Sequence, residues 1–200
     1  MSRFQTIFVP DWHGAGPGHW QRLWADQQPD ALCLVPQDET APRRDDWLAA
    51  LEALVLSSDA PVLLVAHGLG CIVVAHLPAA AAARIHGALL VAPSDPERRA
   101  QLSSFAPVPY APLPYRSVLV ASSNDPACPV RLAGAYGRAW GSEFVRMQNA
   151  GHVDTDSGYG AWPLGQALFQ SFTQDTQGEA PSSATPPRAS SFIAEPSAHP

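Results

Sequence analysis

Asp125 and His152 are the two side chains best placed to exchange a proton, because each follows directly on a strand-like run. Ser117 to Ser122 ends at Ser123-Asn124-Asp125-Pro126, and Glu143 to Met147 ends at Asn149-Ala150-Gly151-His152. A carboxylate beside an imidazole fixes the ring's tautomer and stabilises its charged form, which leaves the second ring nitrogen to take and return a proton. Such a pair needs a nucleophile to activate. The place for one is Val62 to Ala75, where a Val- and Leu-rich run meets His67-Gly68-Leu69-Gly70 and restarts as an apolar, helix-compatible segment. Strand, sharp turn, helix is the layout of a nucleophile elbow. Ala66 and Gly70 supply the small residues that this turn needs two positions before and after its apex. The apex itself is Gly68, which has no side chain and forms no covalent intermediate. The chain order of apex, acid and base is nevertheless that of a Ser-Asp-His triad.

Each group also has a plainer reading. Asp125-Pro126 can simply initiate a turn, and His152 after Gly151 can be a loop histidine. Asp95, which follows the strand after the elbow, is a rival for the acid. Two backbone N–H groups would stabilise a developing oxyanion. One belongs to Leu69, the residue after the apex, and the other to Asp11 or Trp12 in the loop after the first strand. Gly14, Gly16 and Gly18 let that loop approach closely. Asp11, His13 and His19 also suggest a metal site, but no helix fixes His19 relative to the other two. The expectation is therefore no metal.

These residues need elements to hold them. Thr6 to Val9 reads as a short buried strand, and His19 to Gln27 as a helix with Trp20, Leu23 and Trp24 on one face. Leu32 to Val35 is a second strand. Asp45 or Asp46 is the expected cap of a helix carrying Trp47, Leu48, Leu51 and Leu54. After the elbow, Gly87 to Ala92 is a further strand, and the Pro-rich stretch Pro93 to Tyr115 reads as an irregular cap-like connection near the site. Val130 to Trp140 and Trp162 to Phe172 read as helices. Strands alternating with helices predict a three-layer α/β sandwich, a mostly parallel sheet covered on both faces. Ligands of such a sheet bind at the carboxyl ends of its strands.

The 200 residues fit one domain, expected over 1–174, with a core of useful size. From Thr173 the composition turns to Gln, Ser, Pro, Thr and Ala, so 175–200 reads as a disordered tail. A net charge of −6 argues against a nucleic-acid surface, which needs clustered Lys and Arg. No apolar run reaches the length of a membrane helix, and the strand-like start leaves no room for a signal peptide. The expected location is cytoplasmic and the expected state a monomer. Cys33, Cys71 and Cys128 show neither disulfide nor zinc spacing and read as small buried residues.

Taken together, Val9-Pro10-x-Trp12, His19-Trp20, Val65-Ala66-His67 with Leu69-Gly70-Cys71, Asp125-Pro126 and Gly151-His152 resemble a family of small serine hydrolases. This is the α/β-hydrolase family related to YdeN and retinoblastoma-binding protein 9. The resemblance spans about residues 4 to 173 and implies ester or amide cleavage without a cofactor, on a fold with a minimal cap. The sequence departs from that family at two positions. Gly68 stands where the family has its nucleophilic Ser, and Asp11 stands where bacterial members carry Gly, beside the oxyanion hole.

Two functions follow. The first is a hydrolase by descent, inactive or weakly active, in which a water in the space of the missing hydroxyl is activated by His152. The second is a non-catalytic module that binds a small molecule or a protein on a hydrolase scaffold. His13, His67 and Trp20 are the expected lining of the pocket for a small ester or amide, with Trp12, Trp162 and Tyr159 further candidates, although aromatic residues at helix spacing are more often core.

Overall fold

The computed structural model describes residues 3–35, 38 and 40–174. The tail 175–200 lies outside the described residues. One six-stranded sheet runs through the molecule in the order β2-β1-β3-β4-β5-β6, every neighbouring pair parallel. The strands are β1 (Gln5–Val9), β2 (Leu32–Cys33), β3 (Val62–His67), β4 (Ile85–Val91), β5 (Arg116–Ser122) and β6 (Glu143–Met147). Helices α1 (Trp20–Asp26), α2 (Arg44–Leu56), α3 (Leu69–Ala75), α4 (Ala79–Ala82), α5 (Val130–Trp140) and α6 (Pro163–Gln174) connect or close them.

The central strands are apolar throughout because both faces of the sheet are covered. Ile7, Val9, Leu64, Ala66, Leu90 and Leu119 face one layer, with Trp47, Leu51 and Val55 of α2 and Tyr136 and Trp140 of α5. Phe8, Leu63, Val65, Leu89, Val91 and Val118 face the other, with Trp20 and Trp24 of α1 and Phe169 and Phe172 of α6. Neighbouring side chains on a strand point to opposite faces, so a single run fills both layers. Burying each Leu or Phe contributes roughly 2 kcal/mol, and the core is what holds the strand ends in register at the site.

Several elements depart from the sequence reading. Neither Asp45 nor Asp46 caps α2. Its N-cap is Arg43, without a side-chain bond, and the two carboxylates sit in the first turn, where the helix dipole favours them. β2 has two residues instead of four. Leu34 N–H still donates to Phe8 O at 2.9 Å, but Val35 is turned out to 75% exposure at the sheet edge. The stretch 93–115 is not a cap over the site. It folds into 3₁₀ turns at Pro96–Arg98 and Ala100–Phe105, and Leu102, Phe105 and Val108 drop into the α2/α5 layer. Only its start reaches the elbow, where Ser94 N–H donates to Gly68 O. Cys71 and Cys128 are buried, but Cys33 is exposed on the edge strand. Among the described residues no helix is long and apolar enough to cross a membrane.

Candidate active site

The elbow forms where β3 turns into α3. Gly68 lies at φ 54° and ψ −121°, a backbone region that L side chains rarely adopt. Its N–H donates to Val91 O, which ties the apex to the end of β4. Gly70 is small because a neighbouring strand end approaches it closely. A Cβ there would lie 2.4 Å from Val9 O and 2.8 Å from Pro10 O, so it is the end of β1 that presses against the elbow.

The loops after β5 and β6 bring Asp125 and His152 together. His152 Nδ1 is 3.0 Å from Asp125 Oδ1 and 3.1 Å from Oδ2. Asp125 Oδ1 also accepts the Ala127 N–H at 2.8 Å, and its side chain is 3% exposed. Asp95, the rival acid, instead accepts the Glu97 N–H and caps the first 3₁₀ turn. The His152 turn is held from every side. Ser122 Oγ accepts the Ala150 N–H, Asn124 Oδ1 accepts the Gly151 N–H, and Ser157 Oγ accepts the His152 N–H. Val153 then takes φ 54°, a costly setting for a β-branched residue. Trp20 Nε1–H donates to the Val153 carbonyl at 2.8 Å and braces it.

The third member of the cluster is Asp11, at the end of β1. Its Oδ1 accepts the Leu69 N–H at 2.6 Å, so it occupies the donor expected to stabilise an oxyanion. A Cβ built on Gly68 would lie 2.2 Å from that same oxygen and 2.7 Å from Asp11 Cβ. The carboxylate therefore fills the space above the apex that a serine side chain would use. This overturns the expectation of a vacated, water-filled space. Asp11 Oδ2 lies 3.7 Å from His152 Nε2, an ion-pair distance longer than a hydrogen bond.

Charge follows from this geometry. Burial opposes a charge on His152, but the carboxylates of Asp11 and Asp125 outweigh it and push its pKa up to about 10. Burial also opposes a charge on Asp11, yet His152 and the Leu69 N–H bring it down to about 2. At neutral pH the site is a carboxylate, an imidazolium and a second carboxylate in a row. Behind it lie two neutral histidines. Burial and the neighbouring His152 charge lower His67 to about 4, and burial with His67 lowers His19 to about 3. His67 Nε2–H donates to the His152 carbonyl at 2.8 Å, since a carbonyl only accepts. His19 Nδ1 accepts the Gln21 N–H at the start of α1.

The structure thus gathers Asp11, Gly68, Leu69, Asp125 and His152 at one sheet edge. The residues expected to line a pocket behave otherwise. Trp20 is fully buried and Trp162 is 4% exposed in the α1/α6 layer, and His67 is 2% exposed beneath His152. His13 is exposed and packs on Trp12 at 3.9 Å between ring centroids, while Trp12 sinks into the α2/α5 layer. Among the described residues no group of three His, Cys, Asp or Glu side chains is arranged to hold a metal ion. Sequence reasoning did not find Ser122, Asn124, Ser157 or the bracing role of Trp20. Only His19 carried a local signal, a polar side chain directly before a helix.

An all-parallel sheet, an elbow after β3, an acid after β5 and a histidine after β6 define the α/β-hydrolase fold. The serine hydrolase family model matches residues 6–171, and the chain belongs to that family. It is similar to the crystal structure of a YdeN-like hydrolase from Pectobacterium atrosepticum, with 26% identity over 86% of this chain and 91% of that one, at a TM-score of 0.78. The ydeN gene product of B. subtilis shares the fold at 22% identity, with 84% and 98% of the two chains covered and a TM-score of 0.68. So does esterase 2 of Thermogutta terrifontis phosphorylated by paraoxon, at 14% identity, coverage of 90% and 84%, and a TM-score of 0.60. None of the curated proteins matches the chain.

Proposed function

We propose that this member of the serine hydrolase family runs no acyl-enzyme chemistry, because a carboxylate stands in for the hydroxyl at the site. The observation that carries this reading is the Asp11 carboxylate on the Leu69 N–H, in contact distance of any side chain at position 68. Three consequences follow. There is no hydroxyl at the elbow apex to acylate, and the nearby Ser94 hydroxyl is turned to Asp11 Oδ1 at 3.5 Å. The oxyanion donor is already satisfied by a negative charge, which opposes a second one. The base is protonated at neutral pH and accepts no proton. Ester and amide turnover is therefore at background, and the partner of the site is a small molecule that meets a charged triad.

A second reading is a non-catalytic binding module on the hydrolase scaffold. It draws on the completeness of the ion row: both carboxylates and the imidazolium are mutually satisfied without any substrate.

Fluorophosphonate labelling, with short p-nitrophenyl esters as a second readout, tests the proposal. The wild-type chain is expected to stay unlabelled. Gly68→Ser alone is expected to stay unlabelled too, because its Cβ meets Asp11. Gly68→Ser combined with Asp11→Gly clears the space, frees the Leu69 N–H and is expected to label. Labelling of the wild-type chain would show that an active hydroxyl exists, and would end this reading.

A further inference from the structure

Away from the Asp11 site, a cleft opens between α1 and the edge of the sheet. β2 is the edge strand and stops after two residues, which leaves a gap beside α1. The cleft measures about 220 Å³, and none of Asp11, Gly68, Leu69, Asp125 and His152 lines it. Phe8 and Cys33 form its floor. The two are paired across β1 and β2, and paired residues of neighbouring strands project to the same face. Val35, left exposed by the early end of β2, belongs to the rim, and Gln21 and Arg22 of α1 form the facing wall.

One polar atom of this wall lacks a partner. Gln21 is 2% exposed, and its Nε2 donates to Val9 O at 3.2 Å and to Val65 O at 2.9 Å. Both amide hydrogens are thereby spent on β1 and β3, which fixes the side chain. Its Oε1 is buried and accepts no hydrogen bond among the described residues. A buried acceptor without a donor is unfavourable, and a bound N–H or O–H relieves it. The rest of the lining offers no unmatched charge. Arg22 is 59% exposed, and its Nε is paired with Asp26 Oδ1 at 3.0 Å. Burial raises the pKa of the Cys33 thiol, so the floor is neutral at pH 7. An ion of either sign finds no free counter-charge here, whereas a neutral molecule with one donor supplies what Gln21 lacks.

We infer that this cleft binds a small neutral aromatic molecule of the size of indole, carrying a single N–H or O–H donor. The donor bonds Gln21 Oε1, and the ring lies against Phe8 and Cys33. The Arg22 guanidinium at the mouth covers the ring's outer face, since this flat and weakly hydrated cation stacks on aromatics. The size follows from the volume. A cavity of ~150 Å³ takes up benzene, and about 220 Å³ leaves room for a fused second ring. The aromatic character follows from the neighbours: the Phe8 ring, the Cys33 sulfur and the guanidinium each gain more from a π-face than from an aliphatic ring of equal size. The binding is non-covalent, and it stands whether or not the elbow supports any turnover.

Cys33 supplies the readout. It is exposed while Cys71 and Cys128 are buried, so a maleimide added to the folded chain reports on this cleft, read from the mass of the Cys33 peptide. At an indole concentration about ten times its dissociation constant, alkylation of Cys33 is expected to slow about tenfold, in step with the free fraction. N-methylindole keeps both rings and loses the donor. It is expected to need at least about a tenfold higher concentration for the same protection, because Gln21 Oε1 is then buried without a partner. Cyclohexanol keeps a donor and loses the aromatic ring, and is expected to protect more weakly than indole. Equal protection by N-methylindole would overturn the bond to Gln21, and equal protection by cyclohexanol would overturn the aromatic class. Alkylation that indole leaves unchanged up to its solubility limit would overturn the inference outright.

Discussion

Two substitutions define the residue scale, and each makes sense only with the other. A serine at position 68 would collide with Asp11, since even its Cβ falls 2.2 Å from Oδ1. An aspartate at position 11 beside a serine would have no room to reach the Leu69 N–H. The sequence showed both departures and placed one at the nucleophile position and the other beside the oxyanion hole. It did not show that one fills the space left by the other, because residues 11 and 68 are brought together only by the pairing of β1 with β3. The consequence is electrostatic. Hydrolysis by a triad needs a neutral imidazole, and a second carboxylate at 3.7 Å makes His152 an acid instead.

At the scale of elements, the site depends on how strand ends are braced. Asp125 and His152 were legible because each follows directly on its strand, and the apolar run through β3 announced the elbow. The brace behind His152 was not legible. Val153 carries no signal of a positive φ, and Trp20 lies on a helix far away in the chain, where its spacing marks it as a core residue but not as a partner of Val153. The structure has it donating to Val153 O from within the core. Trp20→Phe keeps most of the ring's volume but orphans that buried carbonyl. We expect a loss of about 1 to 3 kcal/mol in urea unfolding, with faster amide exchange at His152 and Val153. Unchanged stability and exchange would mean that the strained turn holds itself.

At the scale of the whole molecule, the buried titratable groups set a pH optimum for stability. His152 has its pKa raised from 6.5 to about 10, so its contribution is complete below 6.5 and is lost as pH rises toward 10. His67 and His19 are lowered to about 4 and about 3, so the unfolded chain takes up protons first as pH falls below 6.5, and stability drops on that side. Asp11, lowered to about 2, adds to the acid-side loss below 3.8. Burial raises Cys128 to about 12, which adds to the alkaline-side loss. The urea midpoint is expected to peak near pH 6.5 and to fall in both directions. A midpoint still climbing between pH 7 and the ordinary range of cysteine would contradict the charged triad. The alternation of strands and helices and the apolar β3 made the layered architecture readable. The 93–115 connection was misread, because its prolines rule out regular helix but say nothing about which layer Leu102 and Phe105 enter.

The most direct measurement is an NMR titration of the His152 ring in the wild-type chain and in Asp11→Ala. The predicted result is a ring that stays protonated through neutral pH and titrates near 10 in the wild-type chain, then falls toward the ordinary 6.5 once Asp11 is removed. A wild-type ring that titrates near 6.5, unmoved by Asp11→Ala, would contradict the account: Asp11 would not face His152 in solution, and the site would be a serine hydrolase site that lacks only its serine.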